Sequence, residues 1–223
     1  MTRAEIAPWP ADPAAQRELL TRAAALIRSG EVVAFPTDTV YGIGVSAWDP
    51  EAIQRLYAIK GRPRQKAIAL LLSGSSQLPD VTDYRSPKLD RLVWKFWPGA
   101  LTIVVPWRAS LRDRVPRESG TVGIRVPDHP VARALIAAVG VPLATTSANL
   151  SGAPSPVTAQ EVDMQIGDRI ALIIDGGRCP GGQDSTVVDL TTDPPTVRRV
   201  GAISVQELEA VLGPLTVEKV SSG

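Results

Sequence analysis

Three times along this chain a helix-capping residue is followed at once by proline, at Asp12-Pro13, Asp49-Pro50 and Ser86-Pro87. The capping oxygen satisfies orphan amides at a helix start, and proline suits the first helical position, where a backbone N–H has no partner in any case. Helices are therefore expected from 13, 50 and 87. Thr158 with Glu161 and Ser204 with Glu207 have capping-box spacing, and a sixth start is expected at Pro130. Between these starts lie short β-rich runs at 32–35, 68–72, 101–105, 122–126, 143–146, 171–174, 186–190 and 197–200. The alternation predicts one α/β domain, and the close spacing of the late strands predicts a twisted mixed β-sheet with packed helices. A single domain is expected over 1–223, with its core at about 14–212 and a peripheral N-terminal segment and C-terminal tail.

Composition removes several classes of function. The longest unbroken aliphatic runs, 67–72 and 134–139, are six residues each, against the ~20 that a membrane helix needs. The first residues carry no apolar segment followed by a small-residue cleavage site, so a cytoplasmic protein is expected. One cysteine and one histidine exclude an internal disulfide and leave no Cys/His set for zinc, so any metal is expected to be oxygen-bound, and no residue is named as a metal ligand. A formal charge of +1 is no global nucleic-acid signature. Any polyanion must meet a local cluster, and KGRPRQK at 60–66 offers four cations in seven residues.

Four polar loops follow apolar strands, the place where open α/β sheets hold ligands. FPTDTVYGIG at 35–44 and ATTSANLSGAPSP at 144–156 are rich in hydroxyls. KGRPRQK pairs Lys60 and Arg62 around a glycine, and 174–190 has four glycines before Asp184-Ser185-Thr186. Each also reads as an ordinary turn, a solvated charged face or a mobile loop. No GxxxxGK[ST] or helix-opening GxGxxG is present. His129 precedes Pro130 at a helix start and is expected to be structural, which leaves no histidine for Ser-His-Asp chemistry. Arg178 beside Cys179 could lower the thiol pKa, but no partner base accompanies it. Trp94, Trp97 and Trp107 are expected to pack in the core.

The ordered set PTDTVYG at 36–42, KGRP at 60–63, TSAN at 146–149, and the late DSTVVDL and RxG segments resembles the YrdC-type L-threonylcarbamoyladenylate synthase family, over about 14–212. The resemblance implies a YrdC-like fold that makes threonylcarbamoyl-AMP and pyrophosphate from L-threonine, bicarbonate and ATP. Mg²⁺ would be bound mainly through the phosphates. The product would serve a downstream threonylcarbamoyl-transfer enzyme complex acting on tRNA, with tRNA or structured RNA as a possible direct partner and no membrane involved. By the same resemblance Lys60 and Arg62 form the catalytic phosphate and substrate clamp. Lys66, Thr121, Ser147, Asn149, Ser155 and Arg199 lie on the nucleotide side, with Asn149 shaping the S-x-N loop. Thr39, Arg125, Thr145 and Ser185 lie on the threonine side, with Arg125 either gripping the substrate carboxylate or held in a structural ion pair. Leu71 stands where some members have histidine and Lys66 where they have asparagine. The chain is expected to be the short form, without the extra C-terminal domain of longer members.

Two other readings remain open: a paralogue acting on another carbamoyl or acyl adenylate, and a structured-RNA-binding module without catalysis. Lys60 and Arg62 are expected at the solvent surface, so alanine at either should spare folding. Arg62→Ala should lower turnover roughly 10²-fold, the scale for losing a preorganised charge donor. Full activity in a pyrophosphate-release assay would return the cluster to a solvated face.

Overall fold

In the computed structural model, which describes residues 3–61, 68–108 and 120–218, each cap–proline pair opens a helix. These are α1 (Pro13–Arg28), α2 (Pro50–Lys60) and α4 (Pro87–Phe96). Asp12, Asp49 and Ser86 accept from the amides of the first turn. A short helix α3 (Leu78–Val81) intervenes, and α5 (Pro130–Val139), α6 (Ala159–Ile166) and α7 (Val205–Leu212) follow. Ser204 and Glu207 form the full capping box. Thr158 forms only half of one: its hydroxyl accepts from Glu161 N at 3.2 Å, while the Glu161 carboxylate reaches back to Val157 N at 2.6 Å.

The strands are β1 (Glu5–Pro8), β2 (Val33–Phe35), β3 (Gly42–Ser46), β4 (Ala69–Leu71), β5 (Leu101–Pro106) and β6 (Thr121–Arg125). After them come β7 (Leu143–Ser147), β8 (Leu172–Asp175), β9 (Thr186–Asp189), β10 (Thr196–Arg199) and β11 (Thr216–Val217). Among the described residues they form one mixed sheet in the order β1-β8-β2-β3-β7-β4-β6-β5-β9-β10-β11. Both ends depart from the expected periphery. β1 pairs in parallel with β8, and β11 in parallel with β10. Such pairings join segments distant in sequence, so nothing local announces them. β3 was part of an expected loop. Its glycines belong to a central strand because Phe35 packs on Gly44, where a Cβ would lie 3.0 Å from the ring.

Strand alternation divides the side chains between two faces. Ile43, Leu70, Ile103, Ile124, Ala144 and Val188 bury one face in the larger core, together with apolar residues of α2, α4, α6 and α7. On the other face, Val33, Phe35, Leu143, Leu172 and Ile174 pack with α1 and α5. Farther along that second face, Ala69, Gly123, Val104 and Thr145 line a cavity instead. Trp97 and Trp107 are half-buried against the larger core as expected. Trp94 is not; it is 85% exposed on α4, whose core side carries Leu89 and Leu92.

Helix α2 ends at the site, since Lys60 is its last residue and Gly61 closes it in the left-handed region at φ 57°. Asp49→Ala should remove the acceptor for Glu51 N and Ala52 N, both at 3.0 Å, and cost about 1 kcal/mol in urea unfolding. An unchanged midpoint would show that the packing of Ile53 and Leu56 alone holds this helix start.

Candidate functional site

The bare part of the sheet face floors a cavity of about 620 Å³, a volume in the range of ligand sites for nucleotide-sized molecules. Small side chains keep it deep. Ala69 and Gly123 stand opposite each other on β4 and β6, and a Cβ on Gly123 would meet Thr102 Cγ2 at 3.1 Å. The walls come from the loop after β2, the end of α2, the loop after β7, and the segment before β9.

One wall is organised by a buried ammonium. Lys60 is 2% exposed, not at the solvent surface as expected. Its Nζ donates to the Ser147 carbonyl, to Ser147 Oγ at 3.3 Å and to Asn149 Oδ1 at 3.1 Å. The Lys60 carbonyl in turn accepts from Ser151 N at 3.0 Å. Asn149 closes the loop with its amide, donating to Leu150 O at 2.9 Å and Ala153 O at 2.6 Å. The K-x-R and S-x-N motifs thus meet through Lys60, with the lysine reaching across from the helix end to brace the loop. Burial follows from the neighbouring chain: the loop after β7 folds over the helix terminus and replaces water around the ammonium.

The opposite wall holds a buried guanidinium. Arg125, the last residue of β6, is 6% exposed. It donates from Nε to Gly99 O at 2.9 Å, from Nη1 to Thr39 Oγ1 at 3.1 Å and from Nη2 to Asp38 Oδ1 at 2.5 Å. Burial pushes its pKa down, and the Asp38 charge opposes that shift. The structural ion pair considered from sequence is therefore present, with Asp38 as its acid. Arg125 nevertheless remains part of the cavity wall.

Between these walls, Ser185 Oγ lies 2.9 Å from Thr102 Oγ1 and accepts from Arg199 Nη2 at 3.2 Å. Arg199 also reaches Asp184 Oδ2 at 3.3 Å, and Ser155 Oγ reaches Asp184 Oδ1 at the same distance. Thr121, Thr145 and Ser147 complete the set, so the cavity gathers every described residue named as a site candidate. Arg62 and Lys66 lie outside the described residues. Leu71, at one of the departures, lines the cavity floor.

Asp38 and Thr102 were not singled out by sequence reasoning, and Asp184 entered it only as part of the late glycine-rich loop. A lone hydroxyl inside the apolar strand β5 was a signal for Thr102; Asp38 lay in plain view within PTDT, but its partner is distant in sequence. His129 caps α5 without a side-chain cap bond. Its Nδ1 is buried without a partner among the described residues, and burial lowers its pKa. Cys179, for which no partner base was expected, is buried, and burial pushes its thiol up to about 11 although Arg178 acts to lower it. Among the described residues no three metal-ligating side chains cluster, and no helix is long and apolar enough to cross a membrane.

A family model described as "Telomere recombination", that of the Sua5/YciO/YrdC proteins, matches residues 25–201. A Bacillus subtilis protein named threonylcarbamoyl-AMP synthase is 45% identical over 201 residues, which cover 90% of this chain and 58% of that protein. A Mycobacterium tuberculosis protein named putative threonylcarbamoyl-AMP synthase is 41% identical over 204 residues, 91% of this chain and 93% of that protein. The crystal structure of Pyrococcus abyssi Sua5 complexed with L-threonine aligns with a TM-score of 0.89 at 36% identity, covering 97% of this chain and 63% of that one. The chain therefore spans about three-fifths of the Bacillus and Pyrococcus proteins.

Lys60→Met should keep much of the aliphatic volume while orphaning the Ser147 carbonyl and Asn149 Oδ1. We expect a loss of about 2 kcal/mol in urea unfolding, in the range for buried acceptors left unpaired. Wild-type stability would show that the brace is dispensable to the fold.

Proposed function

The chain belongs to the Sua5/YciO/YrdC family, and from that premise we propose that it makes threonylcarbamoyl-AMP and pyrophosphate from ATP, L-threonine and bicarbonate. The observation that carries the reading is the cavity itself: hydroxyls, a buried guanidinium and a braced ammonium surround a space of about 620 Å³, and the sole histidine is not in its wall. A reaction that runs there needs positioning and charge compensation more than a proton acceptor on the protein.

The proposed chemistry meets that condition. The threonine amine forms an N–C bond with carbon dioxide released from bicarbonate, giving an N-carboxylate, and the proton lost by the amine leaves as water with the hydroxide that bicarbonate gives up. One anionic carboxylate oxygen then forms a bond to the α-phosphorus of ATP as the bond to the bridging oxygen breaks, and pyrophosphate leaves with that electron pair. Because the attacking oxygen already carries charge, no general base is needed at this step. Alignment of the two ligands supplies the main advantage.

Each wall takes a side of this reaction. Arg125, with Thr39 and Ser185 nearby, receives the amino acid, and its planar fork suits the α-carboxylate. Ser147, Ser155, Thr121 and Arg199 contact the nucleotide, with Thr145 on the floor between. Lys60 contributes its charge from within the wall and holds Ser147 and Asn149 in place. Arg62 and Lys66, outside the described residues, are assigned to the phosphate side by the family resemblance alone. Asp184 is the one carboxylate among the described residues of the cavity wall. A single carboxylate together with phosphate oxygens is a donor set that fits Mg²⁺, which when bound would offset the charge of the triphosphate. The product would pass to an enzyme that transfers the threonylcarbamoyl group to a tRNA adenosine, and the protein would act in the cytoplasm.

Pyrophosphate release should require ATP, Mg²⁺, threonine and bicarbonate together, and mass analysis should identify threonylcarbamoyl-AMP. Equal release with other amino acids, or a different adenylate, would assign the fold to another carbamoyl or acyl donor. Release independent of any amino acid would overturn the assignment.

A further inference from the structure

A guanidinium carries five N–H donors, and the protein engages three on Arg125, through Gly99, Thr39 and Asp38. The other two, one on each terminal nitrogen, have no partner among the described residues. Arg125 lines the cavity but Asp38 does not, so the carboxylate holds the guanidinium without being part of the ligand-facing wall. We propose that Asp38 is a positioning residue that locks the Arg125 fork for the carboxylate of the amino-acid substrate. This inference rests on the functional reading above.

The loop that carries Asp38 is built to hold it still. Thr37 Oγ1 donates to Val40 O at 2.7 Å and accepts from Thr39 N at 3.1 Å. The Thr39 hydroxyl lies 2.9 Å from Thr37 Oγ1. Since the Thr37 proton is committed to Val40 O, the Thr39 proton goes to Thr37, and Thr39 turns a lone pair toward Arg125. The loop is also pinned from behind: Gly182 N donates to Thr39 O at 2.9 Å, and a Cβ on Gly181 would lie 2.7 Å from Asp38 O. Asp38 Oδ1 accepts a second bond, from Asp128 N at 3.1 Å. That bond ties the loop after β2 to the segment that follows β6, the strand bearing Arg125.

Charge gives the same assignment. Arg125 and Asp38 side chains are 7% and 13% exposed, so before a substrate arrives the guanidinium needs a nearby anion to offset desolvation. Asp38 supplies it while using one donor of five. A long side chain with several rotatable bonds would otherwise have to be ordered by the ligand itself, which would weaken ligand binding. Preorganisation through Asp38 therefore acts on amino-acid affinity and leaves the nucleotide side alone.

The opposite possibility has the opposite sign. If Asp38 merely occupied the fork, the substrate carboxylate would have to displace it, and removing Asp38 would tighten threonine binding. Wild type, Asp38→Asn and Asp38→Ala should be compared by threonine and ATP dependence of pyrophosphate release, by calorimetric threonine binding, and by circular dichroism for folding. We expect Asp38→Ala to raise the threonine KM and Kd roughly 10-fold, with kcat and the ATP KM within about 2-fold. Asn keeps an oxygen acceptor but no charge, and should raise both roughly 3-fold. If the alanine variant does not fold, the asparagine variant decides. Lower or unchanged threonine KM and Kd would overturn the inference, as would parallel losses in kcat and ATP KM, which mark a distorted loop. A wild-type protein that neither binds threonine nor releases pyrophosphate with it would sink the functional reading and this inference together. Wild-type activity with threonine-indifferent Asp38 variants would sink the inference alone.

Discussion

A sheet of apolar strands has to bury both faces, and here one of them is covered by helices over only part of its width. α1 and α5 pack on Val33, Phe35, Leu172 and Ile174, whereas Ala69, Gly123, Val104 and Thr145 face the cavity. The cavity stays open because the opposite face is fully buried: Leu70, Ile103, Ile124 and Ala144 anchor the same strands in the larger core. Close packing on that side makes the floor rigid, and small side chains on this side give it depth. The loops at the strand ends then have to make the walls.

Those loops carry buried charge, and the energetic demand of burying charge orders them. An ammonium or guanidinium removed from water is strongly unfavourable unless it is paired and hydrogen-bonded. Lys60 meets that demand with the S-x-N loop, and Arg125 with Asp38. Each pair joins segments far apart in sequence. The buried charges therefore hold the walls in register as they settle their own solvation, and a ligand meets donors that are already ordered.

Such a wall suits chemistry in which the attacking group is anionic before it arrives. Catalysis by alignment requires that donors not reorganise during the reaction, and saturated partners such as Asn149, with both amide donors and its carbonyl engaged, hold still. A buried thiol with a raised pKa and a histidine with a lowered one stay outside this chemistry, consistent with their places under loops and at a helix start.

Much of this was legible in the linear chain, because helix caps, strand periodicity and loop composition are local properties. Asp49-Pro50 opens a helix wherever that helix packs, and the hydroxyl-rich loops gather because strand ends gather. Pairing is what a linear reading lacks. β1 and β11 join the sheet through parallel partners distant in sequence, β3 is a strand because Phe35 shields its glycine, and Trp94 faces water because α4 presents Leu89 and Leu92 to the core instead. Lys60 reads locally as one cation in a solvated run, yet the loop after β7 closes over it. The sequence alone determined the fold class and the polar loops that meet around the cavity, since both follow from short-range preferences; only the tertiary structure decided which charges are buried and what they hold, because desolvation depends on neighbours that the chain brings together from far away.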